Sequence, residues 1–150
     1  MNTEPVKAET LIDATPTIVW NALTDNDEMK EWYFKLERFE PVVGFTFRFE
    51  GGNEHRTYWH ICTITEVILQ HKLVHTWQFE GYPGNSSVTW WLHDEGNKTR
   101  VQLTHEGLET FPADQPDFAK HNFEEGWKYI VESSLKHYAE GKAGTAQQPA

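Results

Sequence analysis

The sequence predicts an α+β domain built on an antiparallel sheet. Three observations predict it: two short amphipathic segments near the start, a run of alternating apolar and polar stretches separated by turn signals, and one long amphipathic helix at the end. Strands grouped between helices fold as α+β, whereas a parallel sheet needs helices interleaved with its strands. A chain of 150 residues fits one domain. It is read as residues 1–139, with the small, polar tail "EGKAGTAQQPA" expected to be disordered.

The elements follow in order. Residues 6–13, "VKAETLID", end in an apolar pair and read as a first strand. In "TPTIVWNALTD", Thr15 is a good N-cap and Pro16 suits the first helical position. "NDEMKEWY" continues as a second short helix, capped by Asp25 or Asn26 and ending near Trp32. "KLERFEP" reads as a short strand. "GFTFRFEGG" alternates cleanly, with Phe45, Phe47 and Phe49 on one face. "RTYWHICTITEVIL" is long and rich in β-branched and aromatic residues. In "KLVHTWQFEG", Leu73, His75, Trp77 and Phe79 share a face. "SVTWWLHDEGNKTRVQLTHEG" reads as a hairpin turning at Glu95, Gly96 and Asn97, with Val101, Leu103 and His105 on one side of its second arm.

The spacing then predicts one helix from Asp114 to Tyr138, with Phe123, Trp127, Ile130, Val131, Leu135 and Tyr138 in a single stripe. Gly126 interrupts it at a cost of about 1 kcal/mol relative to alanine. The expected gain is close approach of the helix to a strand, or a bend around a curved sheet.

Composition narrows the function. Aromatic residues make up 14% of the chain, with seven Trp, nine Phe and five Tyr. Aromatics fill cores and also line ligand pockets. A formal net charge of -10 with no Lys/Arg run argues against a nucleic-acid partner and against docking on anionic lipid. Cys62 is the single cysteine, so no internal disulfide forms. No apolar stretch approaches the roughly 20 residues of a membrane span, and the N-terminus lacks a signal pattern. Together these read as a cytoplasmic protein with no membrane insertion.

The chemistry-bearing residues are few. There is no H-E-x-x-H spacing, and His105 and Glu106, adjacent on a strand, point to opposite faces. No metal and no cofactor is expected. Cys62 sits mid-strand and reads as a buried apolar residue. His60, His75 and His105 all fall in expected strands, and His75 and His105 share a face with apolar neighbours. Such a histidine either binds a ligand carbonyl or acts as an acid/base, or is simply satisfied by a core partner. Phe47, Phe49, Trp77, Leu103, Phe123, Trp127 and Ile130 are the candidate cavity-lining residues alongside these two histidines. Trp90 and Trp91 are adjacent, so one of them faces outward and offers an association patch, which leaves a homodimer open.

"TPTIVWNALTDNDEMKEWY", "VVGFTFRFEGG", "CTITEVILQHKLVHTWQFEG", "TRVQLTHEGL" and "FEEGWKYIVESSL", in that order, resemble the START-like (Bet v-like) superfamily, and within it the branch related to the activator of the heat-shock-protein-90 ATPase. The resemblance covers the chain to about Tyr138. It implies a helix-grip fold: a curved antiparallel sheet of about six to seven strands gripping the long C-terminal helix, with a cavity between them. In relatives that cavity takes up lipids, sterols, polyketides or hormones, and Trp32 stands where relatives place its mouth. Phe45 replaces a glycine frequent in relatives, adding bulk there. The implied function is binding of an apolar or aromatic small molecule in the cavity. The alternatives are a cyclase, dehydratase or hydrolase acting on a polyketide-like or aromatic substrate, and a chaperone-associated or regulatory interaction protein.

Overall fold

The computed structural model describes residues 4–52 and 55–147. Strand β1 (Val6–Ile12) is followed by helices α1 (Pro16–Thr24) and α2 (Asn26–Trp32), then β2 (Thr46–Gly52), β3 (Thr57–Ile68), β4 (Lys72–Phe79), β5 (Ser86–Asp94) and β6 (Thr99–Glu106). The C-terminal helix runs through α3 (Lys120–Tyr129), a π-helical segment (Ile130–Leu135) and α4 (Lys136–Gln147). The six strands form one sheet in the order β1-β6-β5-β4-β3-β2, and every neighbouring pair is antiparallel. This is the α+β helix-grip architecture. Among the described residues no helix is long and apolar enough to cross a membrane.

Local chemistry sets the helix starts. Thr15 accepts from Ile18 N–H and Pro16 takes the first turn of α1. The Asp25 carboxylate accepts from Asp27 and Glu28 N–H, satisfying donors that open α2. Alternation sets the strand faces. Val6, Ala8, Phe47, Phe49, Leu73, His75, Trp77, Phe79, Trp90, Leu92, Val101, Leu103 and His105 all turn into one core, while Trp91 points out and is 36% exposed. The β3–β4 register slips between Ile64 and Glu66, and such a bulge bends its strand.

The C-terminal helix lies across the inner face. Its buried residues are Trp127, Val131, Leu135, Ala139 and Ala143, four apart throughout. On an α-helix a four-residue step overshoots a full turn by about 40°, so that stripe would drift around the helix. The wider π segment falls short of a turn over four residues and reverses part of the drift. Polar pins fix the far end: Lys136 Nζ donates to the Leu11 carbonyl at 2.6 Å, Ser134 Oγ to the Trp32 carbonyl at 2.5 Å and Tyr138 OH to Glu28 at 3.0 Å.

Four sequence-based expectations need correction. Residues 35–41 form no strand; Leu36 and Phe39 are buried there, and Phe39 packs on Phe45 and Phe47 with centroids at 6.2 and 5.1 Å. The sheet has six strands, within the expected six to seven. The long helix starts at Lys120 rather than Asp114, because Pro116–Phe118 make a separate 3-10 turn, where the Asp117 carboxylate accepts from Tyr58 OH. Helix continues to Gln147 where a disordered tail was expected from 140; Ala139 and Ala143 pack into the core. Residues 148–150 lie outside the described residues. Gly126 does not mediate close packing, since a Cβ there would meet nothing within 4 Å.

Candidate functional site

Aromatic and histidine side chains crowd the space between the sheet and the C-terminal helix. Phe47 and Phe49 come from β2, His60 and Cys62 from β3, His75 and Trp77 from β4, Trp90 from β5, Leu103 and His105 from β6. Trp127 descends from the helix and meets Trp77 and Trp90 at 5.2 and 5.7 Å between centroids. Phe123 and Ile130 are half-buried at its margin. Trp32 is also buried: its Nε1 donates to the Ala22 carbonyl at 2.8 Å and its ring stands edge-on to Trp90. The ten residues singled out in the sequence thus surround one interior.

Hydrogen bonds fix the state of two histidines. Trp127 Nε1–H donates to His105 Nδ1 at 2.9 Å, so that nitrogen carries no proton. The proton is on Nε2, which donates to Ser86 Oγ at 2.7 Å, and Ser86 passes its own to the Trp77 carbonyl at 2.7 Å. One chain of bonds therefore ties the helix to β6, β5 and β4. His75 carries its proton on Nδ1, since that nitrogen faces the Thr76 carbonyl at 2.9 Å, and its Nε2 accepts from Trp90 Nε1 at 3.3 Å. Both rings have every nitrogen engaged. His60 bonds the Tyr58 carbonyl through Nδ1 at 3.0 Å and stacks on Phe49 at 4.5 Å.

Burial keeps all three neutral. Desolvation lowers His60 and His75 to about 4, and desolvation followed by repulsion from His75 lowers His105 to about 3. The Cys62 thiol is pushed well up by burial, which leaves it inert as a nucleophile. No carboxylate or amine is among the buried side chains described. The interior has neutral hydrogen-bonding groups and no charge.

Among the described residues, two polar atoms in this interior have no partner: the Tyr33 hydroxyl and Trp77 Nε1. Trp77 lies on the strand beside Cys62, and the Tyr33 phenol, pushed well up by burial, also feels the Cys62 thiol. Tyr33 and Phe34 belong to the irregular segment 33–45 between α2 and β2. Phe34 lies flat on Phe49, centroids 4.3 Å apart at 18°, and Tyr33 meets Phe49 and Trp90 at 5.9 and 6.4 Å. With Tyr33 in place, the void beside Trp32, Phe47, His75 and Trp90 is about 10 Å³, at the lower limit for one water. At the opposite end a shallow opening of about 270 Å³ lies between Gly52, Tyr58, Phe79, Asp117, Phe118, Asn122 and Phe123.

The sequence model of the family "Activator of Hsp90 ATPase homolog 1-like protein" matches residues 13–140. The chain belongs to that family. Solved structures of the same START-like fold agree. CV1439 from Chromobacterium violaceum superposes with a TM-score of 0.76 at 18% identity, covering 91% of this chain and 97% of that one. CalU16 from Micromonospora echinospora gives 0.63 at 19% identity, covering 97% and 96%. DynU16, a protein of the dynemicin biosynthetic locus, gives 0.75 at 19% identity; 95% of this chain is covered, but it spans only 49% of DynU16. No curated protein matches the chain.

Within this Hsp90-activator-like fold, sequence reasoning missed Tyr33, Phe34 and Trp90 as parts of the interior. The signal for the first two was present: "WYF" at residues 32–34 places three consecutive aromatics where the second helix ends. The mouth implied for Trp32 is closed by this same segment, and Trp32 itself is inside.

Proposed function

We propose that the protein is a cytoplasmic binder of a neutral apolar or aromatic small molecule, held between the sheet and the C-terminal helix in the space that Tyr33 and Phe34 fill. The observation that carries this reading is the buried indole N–H of Trp77, which has no acceptor. A buried unsatisfied polar group costs about 1–3 kcal/mol. The Tyr33 hydroxyl adds a second such cost from the segment that closes the site. Moving residues 33–45 outward relieves the second cost, and a ligand oxygen on Trp77 relieves the first. The ligand's ring then takes the stacking place of Phe34 on Phe49. The absence of interior charge among the described side chains favours a neutral ligand with at least one acceptor. His75 and His105 act as rigid wall, because every nitrogen in them is already bonded. That same commitment weighs against the enzyme alternative, which needs two free groups in mutual reach.

The test compares 2-acetonaphthone with 2-ethylnaphthalene, near-isosteres that differ in a carbonyl acceptor. Isothermal titration should give the ketone about fivefold tighter binding, the worth of one hydrogen bond near 1 kcal/mol. Trp77→Phe should abolish that preference while leaving the hydrocarbon's affinity within about twofold. Failure of both probes to bind, or a ketone preference that survives in Trp77→Phe, overturns the proposal.

A further inference from the structure

The two edges of the sheet are treated differently. β1 lies against the C-terminal helix, and Lys136 donates to its Leu11 carbonyl. β2, at the other edge, pairs only with β3. In β2 the inward residues Phe47, Phe49 and Gly51 sit opposite Cys62, His60 and Tyr58. Phe45 accepts from Ile64 N–H, which sets the odd-numbered residues of β2 to bond β3. The N–H and C=O groups of Thr46, Arg48 and Glu50 therefore point away from the sheet. Among the described residues none of them has a backbone partner outside the ladder. Beside this edge runs a groove of about 960 Å³, bordered by Lys35, Arg38, Arg48, Glu50 and Trp59. Trp59 is 43% exposed there, with the Arg48 guanidinium 5.2 Å above its ring.

We infer that the free edge of β2 pairs with β2 of a second copy, antiparallel about a twofold axis at Phe49. Charge selects both the occupant and the register. With the axis at Phe49, Arg48 stands opposite Glu50 of the second copy and Glu50 opposite its Arg48, so one contact supplies two ion pairs. The outward backbone groups of 48 and 50 then face each other as a hydrogen-bonded pair, as an antiparallel ladder requires. Moving the axis to Arg48 sets guanidinium against guanidinium. Moving it to Glu50 sets carboxylate against carboxylate. Like charges directly opposite in a sheet are destabilising, so the self-complementary register is the favoured one, and an isologous contact of this kind closes as a dimer. Arg48 already touches Glu80 at 3.1 Å, but both side chains are half-exposed. Such a surface pair is worth little, and Arg48 can be shared. The pairing uses the backbone and outward side chains of β2 and none of the interior side chains.

Sedimentation velocity between about 1 and 200 μM at low salt tests it. The wild-type chain should dimerise within that range. Arg48→Glu and Glu50→Arg should each be at least tenfold weaker in self-association, since each puts like charges together. An equimolar mixture of the two variants should regain the dimer, because a copy with two acidic residues then faces one with two basic residues. Circular dichroism of each variant checks that it is folded. A wild-type chain that stays monomeric, single variants that dimerise as the wild type does, or a mixture that stays monomeric would each overturn the inference.

Discussion

The three interior histidines make acid stability a quantitative consequence of the fold. Each is neutral in the folded chain, at about 4 for His60 and His75 and about 3 for His105, against an ordinary value of 6.5. Above pH 6.5 both folded and unfolded states are neutral, and these residues add no pH dependence. Between pH 6.5 and about 4 the unfolded chain binds protons that the folded chain refuses, so stability falls as pH falls. From pH 7 to pH 5 each histidine takes up nearly one proton on unfolding, a loss of about 2 kcal/mol or slightly less apiece and roughly 5.5 kcal/mol in all. That is comparable to the whole stability of an ordinary domain, about 5–15 kcal/mol. Urea unfolding at pH 7, 6 and 5 reads it at the upper edge of the range where carboxylates titrate. The expected slope near pH 5 approaches three protons, about 4 kcal/mol per pH unit. His75→Gln should lower that slope by about one proton. A slope below one proton in the wild type would refute the reasoning, for it would mean the rings take up protons while folded.

Three further outcomes follow from local geometry. Gly126→Ala should stabilise the chain by about 0.5–1 kcal/mol, read as a rise in urea midpoint, because the added methyl meets nothing and helix propensity improves. Gly84→Ala should destabilise by about 2 kcal/mol or more in the same assay: φ is +114° and the new Cβ would lie 2.6 Å from Phe111 Cδ1 and 2.7 Å from the Thr110 carbonyl oxygen. Tyr33→Phe should raise stability by about 1 kcal/mol in thermal unfolding, since it removes a buried hydroxyl that has no partner.

Most of the sheet could be read from the sequence because alternation on a strand is a local signal. Phe45, Phe47 and Phe49, the set from Leu73 to Phe79, and the opposed pair Trp90 and Trp91 carried it, and all but the half-buried Phe45 are placed by burial as alternation requires. What misled was context that periodicity does not contain. Residues 35–41 read as a short strand, yet they run past β2 with Phe39 packed on Phe45 and Phe47. Asp117 falls inside the expected helix, and only the fold brings Tyr58 to it, a partner 59 residues away in sequence. Gly126 was given a packing role that no neighbour supports. The four-residue stripe from Trp127 to Ala143 was visible in part, but the π segment that keeps it facing the sheet was not.

For the interior, residue types were legible and their filling was not. The same aromatic richness that pointed to a cavity supplies the side chains that close it, down to about 10 Å³. Which histidine nitrogens are engaged depends on Ser86 and Trp90 of β5 and on Trp127 of α3, elements far apart in sequence. No single stretch of sequence holds that information.

Hydrogen–deuterium exchange, with and without saturating 2-acetonaphthone, addresses the central claim most directly. If Tyr33 and Phe34 stand in for a ligand, amides of residues 33–45 exchange faster once the ketone is bound, while those of β4 and α3 are protected. A bound ketone that leaves 33–45 unchanged or slower would contradict the account.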